Sequence, residues 1–146
     1  MRLSMLRGYV GGWQDRLRGI AWPEEANVAV GTFLFATIDC ADPERLARFW
    51  AAVLGTELDT TMDGGRYVFL KGSEGLPVLC FQRVPEAKSG KTRMHLDLSV
   101  ADLEDATARI SELGGSWPGR VEKALEGFSW RTLADPEGNE FDIAVG

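Results

Sequence analysis

His95, the only histidine in the 146-residue chain, lies two residues from the carboxylate of Asp97. The surrounding stretch, Arg93-Met94-His95-Leu96-Asp97-Leu98-Ser99, alternates strictly between polar and apolar residues. Successive strand side chains point to opposite faces, so the pattern predicts a strand with Met94, Leu96 and Leu98 on one face and His95, Asp97 and Ser99 on the other. Two residues along a strand span about 6–7 Å at Cα. His95 and Asp97 therefore look into the same space. Glu140 and Asp142 alternate in the same way near the C-terminus and add negative charge. Crowded carboxylates should raise at least one pKa, which suits acid–base chemistry by His95 and Asp97. The plainer alternative makes His95 a hydrogen-bonding residue in a ligand cavity and Asp97 a cap on backbone groups near a strand end.

The elements that position these residues follow from periodicity. Thr32 to Asp39 is a strand with Leu34, Ala36 and Ile38 on one side and Phe33, Phe35, Thr37 and Asp39 on the other. Asp42 is a good helix N-cap, Pro43 suits the first helical position, and Leu46, Phe49, Trp50, Val53 and Leu54 recur at helical spacing before Gly55. This predicts a helix over 42–54. Strands are expected at 57–61, 66–70 and 78–84, with turns at Asp63-Gly64-Gly65 and between Gly72 and Pro77. Pro85 to Lys91 is a polar linker. A strand at 94–99, a helix at 102–113, a weak strand at 116–121 and strands at 128–133 and 140–145 complete the chain. Met94, Leu96, Leu98, Leu34 and Ile38 should be buried beneath the two helices. Asp135-Pro136-Glu137-Gly138-Asn139 is a turn that sets the register of the last strand.

The order repeats. Ala41-Asp42-x-Glu44 returns as Ala101-Asp102-x-Glu104, 60 residues on, and Leu54-Gly55 returns as Leu113-Gly114. Two βαβββ modules, at about 31–85 and 92–146, form an α+β fold that pairs them into one curved mixed sheet with a concave cleft. Shifting by 60 pairs His95 with Phe35, Asp97 with Thr37, Asp142 with Gln82 and Glu140 with Cys80 on the concave side. Trp130 is a candidate stacking residue there. Residues 1–30 stand apart as an N-terminal extension, either flexible or a short amphipathic helix.

Two βαβββ modules, Asp-Pro-Glu-Arg-Leu-Ala-Arg-Phe-Trp and Leu-Gly in the first, and Leu-Ala-Asp-Pro-Glu-Gly-Asn-Glu-Phe at 133–141 resemble the vicinal oxygen chelate superfamily. Cys80 to Lys88 and Lys91 to Leu98 are similar to bacterial glyoxalase-like domains of the glyoxalase, bleomycin-resistance and dioxygenase type. The resemblance covers roughly 31–146. It implies a small organic ligand in the cleft, met by Phe35, Thr37, Gln82, Trp130 and Glu140. It also implies four strand positions that hold a divalent cation in metal-dependent members, here Phe35, Gln82, His95 and Asp142. Phe35 offers no lone pair, so His95, Gln82 and Asp142 remain as a three-ligand site for Zn, Ni, Mn or Fe. Weak or no tight metal binding is the expectation, with an apolar ligand group against Phe35. The implied activity is that of a lyase, isomerase or dioxygenase. The alternative is a metal-free, drug-sequestering binder.

Composition narrows the remaining classes. The net charge of −6 argues against a nucleic-acid surface. No apolar run approaches the ~20 residues that span a bilayer. Cys40 and Cys80 read as reduced thiols of a cytoplasmic protein. The expected partners are a small-molecule ligand and a second copy of the chain.

Overall fold

The computed structural model describes residues 35–72, 74, 77–125 and 127–145. The expected N-terminal extension and residues 32–34, Leu34 among them, lie outside these. The first described strand is β1 (Phe35–Cys40), and its alternation acts as predicted. Ala36, Ile38 and Cys40 turn into the core, while Phe35, Thr37 and Asp39 face outward.

Helix α1 (Pro43–Leu54) begins where Asp42 accepts a hydrogen bond from the Arg45 N–H at 3.1 Å, and Gly55 closes it in the left-handed region at φ 65°. Its buried stripe is Leu46, Ala47, Phe49, Trp50 and Ala51. Strands β2 (Leu58–Met62), β3 (Tyr67–Leu70) and β4 (Val78–Arg83) follow, with a 3-10 turn at Asp63–Gly65. The sheet order is β1-β4-β3-β2, with β1 parallel to β4 and the other pairs antiparallel.

The second module repeats this. It comprises β5 (Asp97–Ser99), α2 (Leu103–Glu112), β6 (Glu122–Leu125), β7 (Phe128–Ala134) and β8 (Glu140–Val145). Asp102 caps α2 by accepting from the Asp105 N–H at 2.8 Å. The order is β5-β8-β7-β6, with β5 parallel to β8. The strands thus form two four-stranded mixed sheets rather than one continuous sheet.

The modules meet within one chain. The Trp50 ring of α1 lies 4.8 Å from Phe141 of β8, and Phe49 lies 6.2 Å from the same ring. All three are buried in one core with residues of both sheets. Full burial of such a side chain is worth roughly 1.5–3 kcal/mol. On β7, Arg131 is 3% exposed and ties the sheet to α2. It donates to Glu104, to Glu122 at 2.8 Å and to the Leu103 carbonyl at 3.1 Å, and stands 4.3 Å from the Trp117 ring. A buried cation persists because it is paired and hydrogen-bonded.

Two expectations need correction. Met94 is 82% exposed, not buried, because the strand begins only at Asp97. The last ladder bond is the Asp142 N–H to the Leu96 carbonyl. Upstream, the Glu140 carboxylate takes the Thr92 N–H and hydroxyl, which draws the chain away from the ladder. Leu96 and Leu98 do pack half-buried on the core. The weak strand expected at 116–121 is only a bridge from Ser116 to Ala134, and the strand itself is β6. Pro118 lacks an N–H to give a ladder, and Arg120 adopts a positive φ of 45°. Among the described residues no helix is long and apolar enough to cross a membrane.

Candidate functional site

The register of the second sheet brings the acidic residues together. Asp97 on β5 pairs with Asp142 on β8, and Asp142 pairs in turn with Thr132 on β7. Paired residues of adjacent strands face the same side. Just before β5, His95 reaches this row. Its Nε2 is 3.7 Å from Asp97 Oδ2 and 3.7 Å from Asp142 Oδ2. The Asp142 side chain is only 11% exposed, against 40% for His95 and 66% for Asp97. Among the described residues, no lysine or arginine lies within 4.0 Å of either carboxylate.

The donor set fits a divalent cation. One ring nitrogen and two carboxylate oxygens lie within 4.8 Å of one another. A cation about 2.1 Å from each donor sets the donors about 3.0–3.4 Å apart, so the 3.7 Å pairs need only a small inward shift. Imidazole with two carboxylates suits Mn, Fe or Zn, and two negative charges match a dication.

Beside this cluster lies a cleft of about 800 Å³ between β1 and the 84–96 segment. Ile38, Trp50, Leu96 and Phe141 give it an apolar floor, and Thr37, Asp39, Lys88, Arg93 and His95 a polar rim. His95 belongs to both the cleft and the cluster. Of the residues expected around a ligand, Thr37, His95 and Glu140 line this cleft. Asp97, Asp142 and Trp130 stand on the outward face of the second sheet beside it.

On the first sheet, Phe35 meets Phe69 edge-on at 5.5 Å. Thr37 pairs with the buried Cys80, and Asp39 with the half-buried Gln82. The metal-ligand set implied by the resemblance is Gln82, His95 and Asp142. The structure also brings Asp97 to His95 and Asp142, through the Asp97–Asp142 register.

Glu140 is already engaged. It accepts from the Thr92 N–H at 2.9 Å and from the Thr92 hydroxyl, with Lys88 Nζ 3.3 Å away. The Thr92 bonds, with a smaller contribution from Lys88, hold its carboxyl well below the usual range, at about 2. The crowding expected to raise a carboxylate pKa therefore does not govern Glu140. The thiols are unsuited to nucleophilic work. Burial, with Glu137 and Asp135 adding to it, pushes Cys40 up to about 12, and burial raises Cys80.

Sequence reasoning passed over Thr132 and Lys123. Thr132 stands in the row of Asp97 and Asp142, and Lys123 donates to it at 3.2 Å. Alternation along 128–133 carried the signal for Thr132; Lys123 fell just outside the strand expected at 116–121.

A family model for the glyoxalase-like domain matches residues 35–144. The chain belongs to the glyoxalase-like domain family. Among solved structures it is similar to a variant of the fosfomycin resistance protein FosX from Listeria monocytogenes, complexed with Mn(II) and 1S,2S-dihydroxypropylphosphonic acid. That match has a TM-score of 0.64 at 16% identity and covers 82% of this chain and 92% of the other. FosX from Mesorhizobium loti aligns with a TM-score of 0.60 at 18% identity, covering 82% and 94%. A glyoxalase/bleomycin resistance protein/dioxygenase family enzyme from Burkholderia phytofirmans aligns at 0.59 and 18%, covering 78% and 98%. No match was found among curated proteins. These structural likenesses establish the shared fold.

Proposed function

We propose that the chain binds a small organic molecule around His95 and acts on it with a divalent cation held by His95, Asp97 and Asp142. The observation that carries this is the in-register pair Asp97 and Asp142, with one imidazole 3.7 Å from both. Like charges directly opposite on neighbouring strands are destabilising. A dication removes that cost, and the cost persists in a site that has no use for one. When bound, such an ion supplies Lewis acidity toward vicinal oxygens of the ligand, as lyase, isomerase or dioxygenase chemistry requires. The chain's own residues do the rest. Ile38, Trp50, Leu96 and Phe141 strip water from an apolar part of the ligand, while Thr37 and Arg93 offer hydrogen bonds at the rim. The FosX complex with Mn(II) supports this reading as a relative of the same fold.

Phe35 favours a second reading. It occupies the fourth metal position implied by the family and offers a ring edge-on to Phe69 instead of a donor. In that reading the cleft sequesters a molecule without metal, and His95 and Asp97 bind its polar groups. The buried free thiols support a cytoplasmic protein, and we include a homodimer in the proposal, to be checked by sedimentation.

Metal analysis of untagged protein, loaded with Mn(II) and then buffer-exchanged, separates the two readings. About one metal per chain, reduced in Asp142→Asn, is the expected result. Protein that keeps no metal would put the metal-free binder in its place.

A further inference from the structure

On β6 and β7, the face opposite α2 carries an assembly that neither reading uses. Lys123 pairs in register with Trp130, and its Nζ stands 5.9 Å from the Trp130 ring centroid. The same Nζ donates to the Thr132 hydroxyl at 3.2 Å. Among the described residues, no carboxylate lies within 4.0 Å of this ammonium. Its sequence neighbour Glu122 points to the other face, where it holds Arg131. The Thr132 hydroxyl and the Trp130 ring position the Lys123 ammonium.

The placement relative to the cluster matters. Thr132 is the register partner of Asp142, one strand spacing away, or about 4.8 Å. The order along the sheet is therefore Asp97, Asp142, Thr132, with Lys123 leaning onto Thr132 from the edge strand. A cation-binding cluster and an ammonium with a hydroxyl sit side by side on one face, beside an indole.

We propose that Lys123 and Thr132, with Trp130 as a stacking surface, form an oxyanion subsite, so that the natural ligand is a small anion with a flat apolar portion. Its carboxylate or phosphoryl oxygens meet the Lys123 ammonium and the Thr132 hydroxyl. Its planar part lies against Trp130, and the oxyanion end is the one nearer Asp142 and His95. The ammonium is not consumed by an internal ion pair, so a ligand oxyanion gains a charge-assisted bond without displacing one. The inference rests on the reading that this face binds a small molecule, and it narrows the chemical class of that molecule.

The test uses benzoate, phenyl phosphate and the neutral benzamide, titrated into the full chain. Binding is followed by the indole N–H resonance of Trp130, assigned by its loss in Trp130→Phe. Loss of a hydrogen bond to a charged group corresponds to at least about tenfold in affinity. At least one anion should shift the Trp130 signal and bind tenfold tighter than benzamide. That preference should vanish in Lys123→Met and persist in Lys123→Arg. Whichever anion binds identifies the carboxylate or the phosphoryl group as the recognised chemistry. Equal binding of benzoate, phenyl phosphate and benzamide to the natural protein would overturn the proposal, whatever the variants do. So would unchanged anion binding by Lys123→Met. A parallel Mn(II) titration keeps the two readings apart. Mn(II) bound without an anion preference sinks the subsite alone; an anion preference without Mn(II) binding sinks only the metal reading.

Discussion

The indole N–H of Trp50, on α1 of the first module, donates to the buried carboxylate of Asp135 in the turn before β8, at 3.2 Å. Asp135 is 3% exposed and also accepts from the Glu137 N–H, the Asn139 N–H and the Asn139 side-chain amide. One carboxylate thus shapes the turn and ties it to the other module's helix. The position of β8, and with it Asp142, depends on that joint.

Asp135→Ala should therefore destabilise the chain. It leaves a buried indole N–H unpaired, which alone costs about 1–3 kcal/mol, and it also removes the turn's bonds. Urea denaturation measures this. A loss below ~0.5 kcal/mol, the size of an ordinary surface substitution, would show that the joint carries little.

Acid should act on Glu140. Its carboxyl sits at about 2 when folded, chiefly because Thr92 donates to it twice, against an ordinary value of 4.5. A depressed folded pKa means a contribution present above pH 4.5 and lost as pH falls toward 2. Melting temperatures from pH 6 to 2 should fall more steeply for the natural protein than for Glu140→Gln across that window. Identical slopes would mean the Thr92 bonds do not form in solution.

Close packing behind the site gives a third prediction. A Cβ on Gly115 would lie 2.6 Å from Ile110 Cγ2 and 3.1 Å from two carbonyl oxygens. Ile110 is buried and β-branched, so it has little room to give. Gly115→Ala should cost about 1–3 kcal/mol by overpacking, read from thermal unfolding. An unchanged melting temperature would show that α2 can move away from β7.

Much of this fold was legible in the chain. Asp42 and Asp102 announced both helices, because an N-cap is a local event within three residues. The alternation of Glu140 to Val145 gave β8 its full length and put Asp142 on the face that Asp97 shares. His95 was legible as the only imidazole. The partners of distant residues were not. Arg131 reaches Glu104 across 27 residues and Trp50 reaches Asp135 across 85, and no local pattern marks such pairs. That Asp97 joins His95 and Asp142 rests on a register between β5 and β8. Sequence spacing gives which face a residue takes but not which residue stands opposite. Met94 misled because its alternation continued past the point where Glu140 captures Thr92 and the strand gives way.

In the proposed function His95, Asp97 and Asp142 hold a divalent cation. Calorimetric titration of Mn(II) into the natural chain, His95→Ala and Asp142→Asn tests it most directly. Saturable binding of one ion per chain, lost in His95→Ala and weakened at least about tenfold in Asp142→Asn, is the predicted result. No Mn(II) heat in the natural chain, or equal binding by all three proteins, would contradict it.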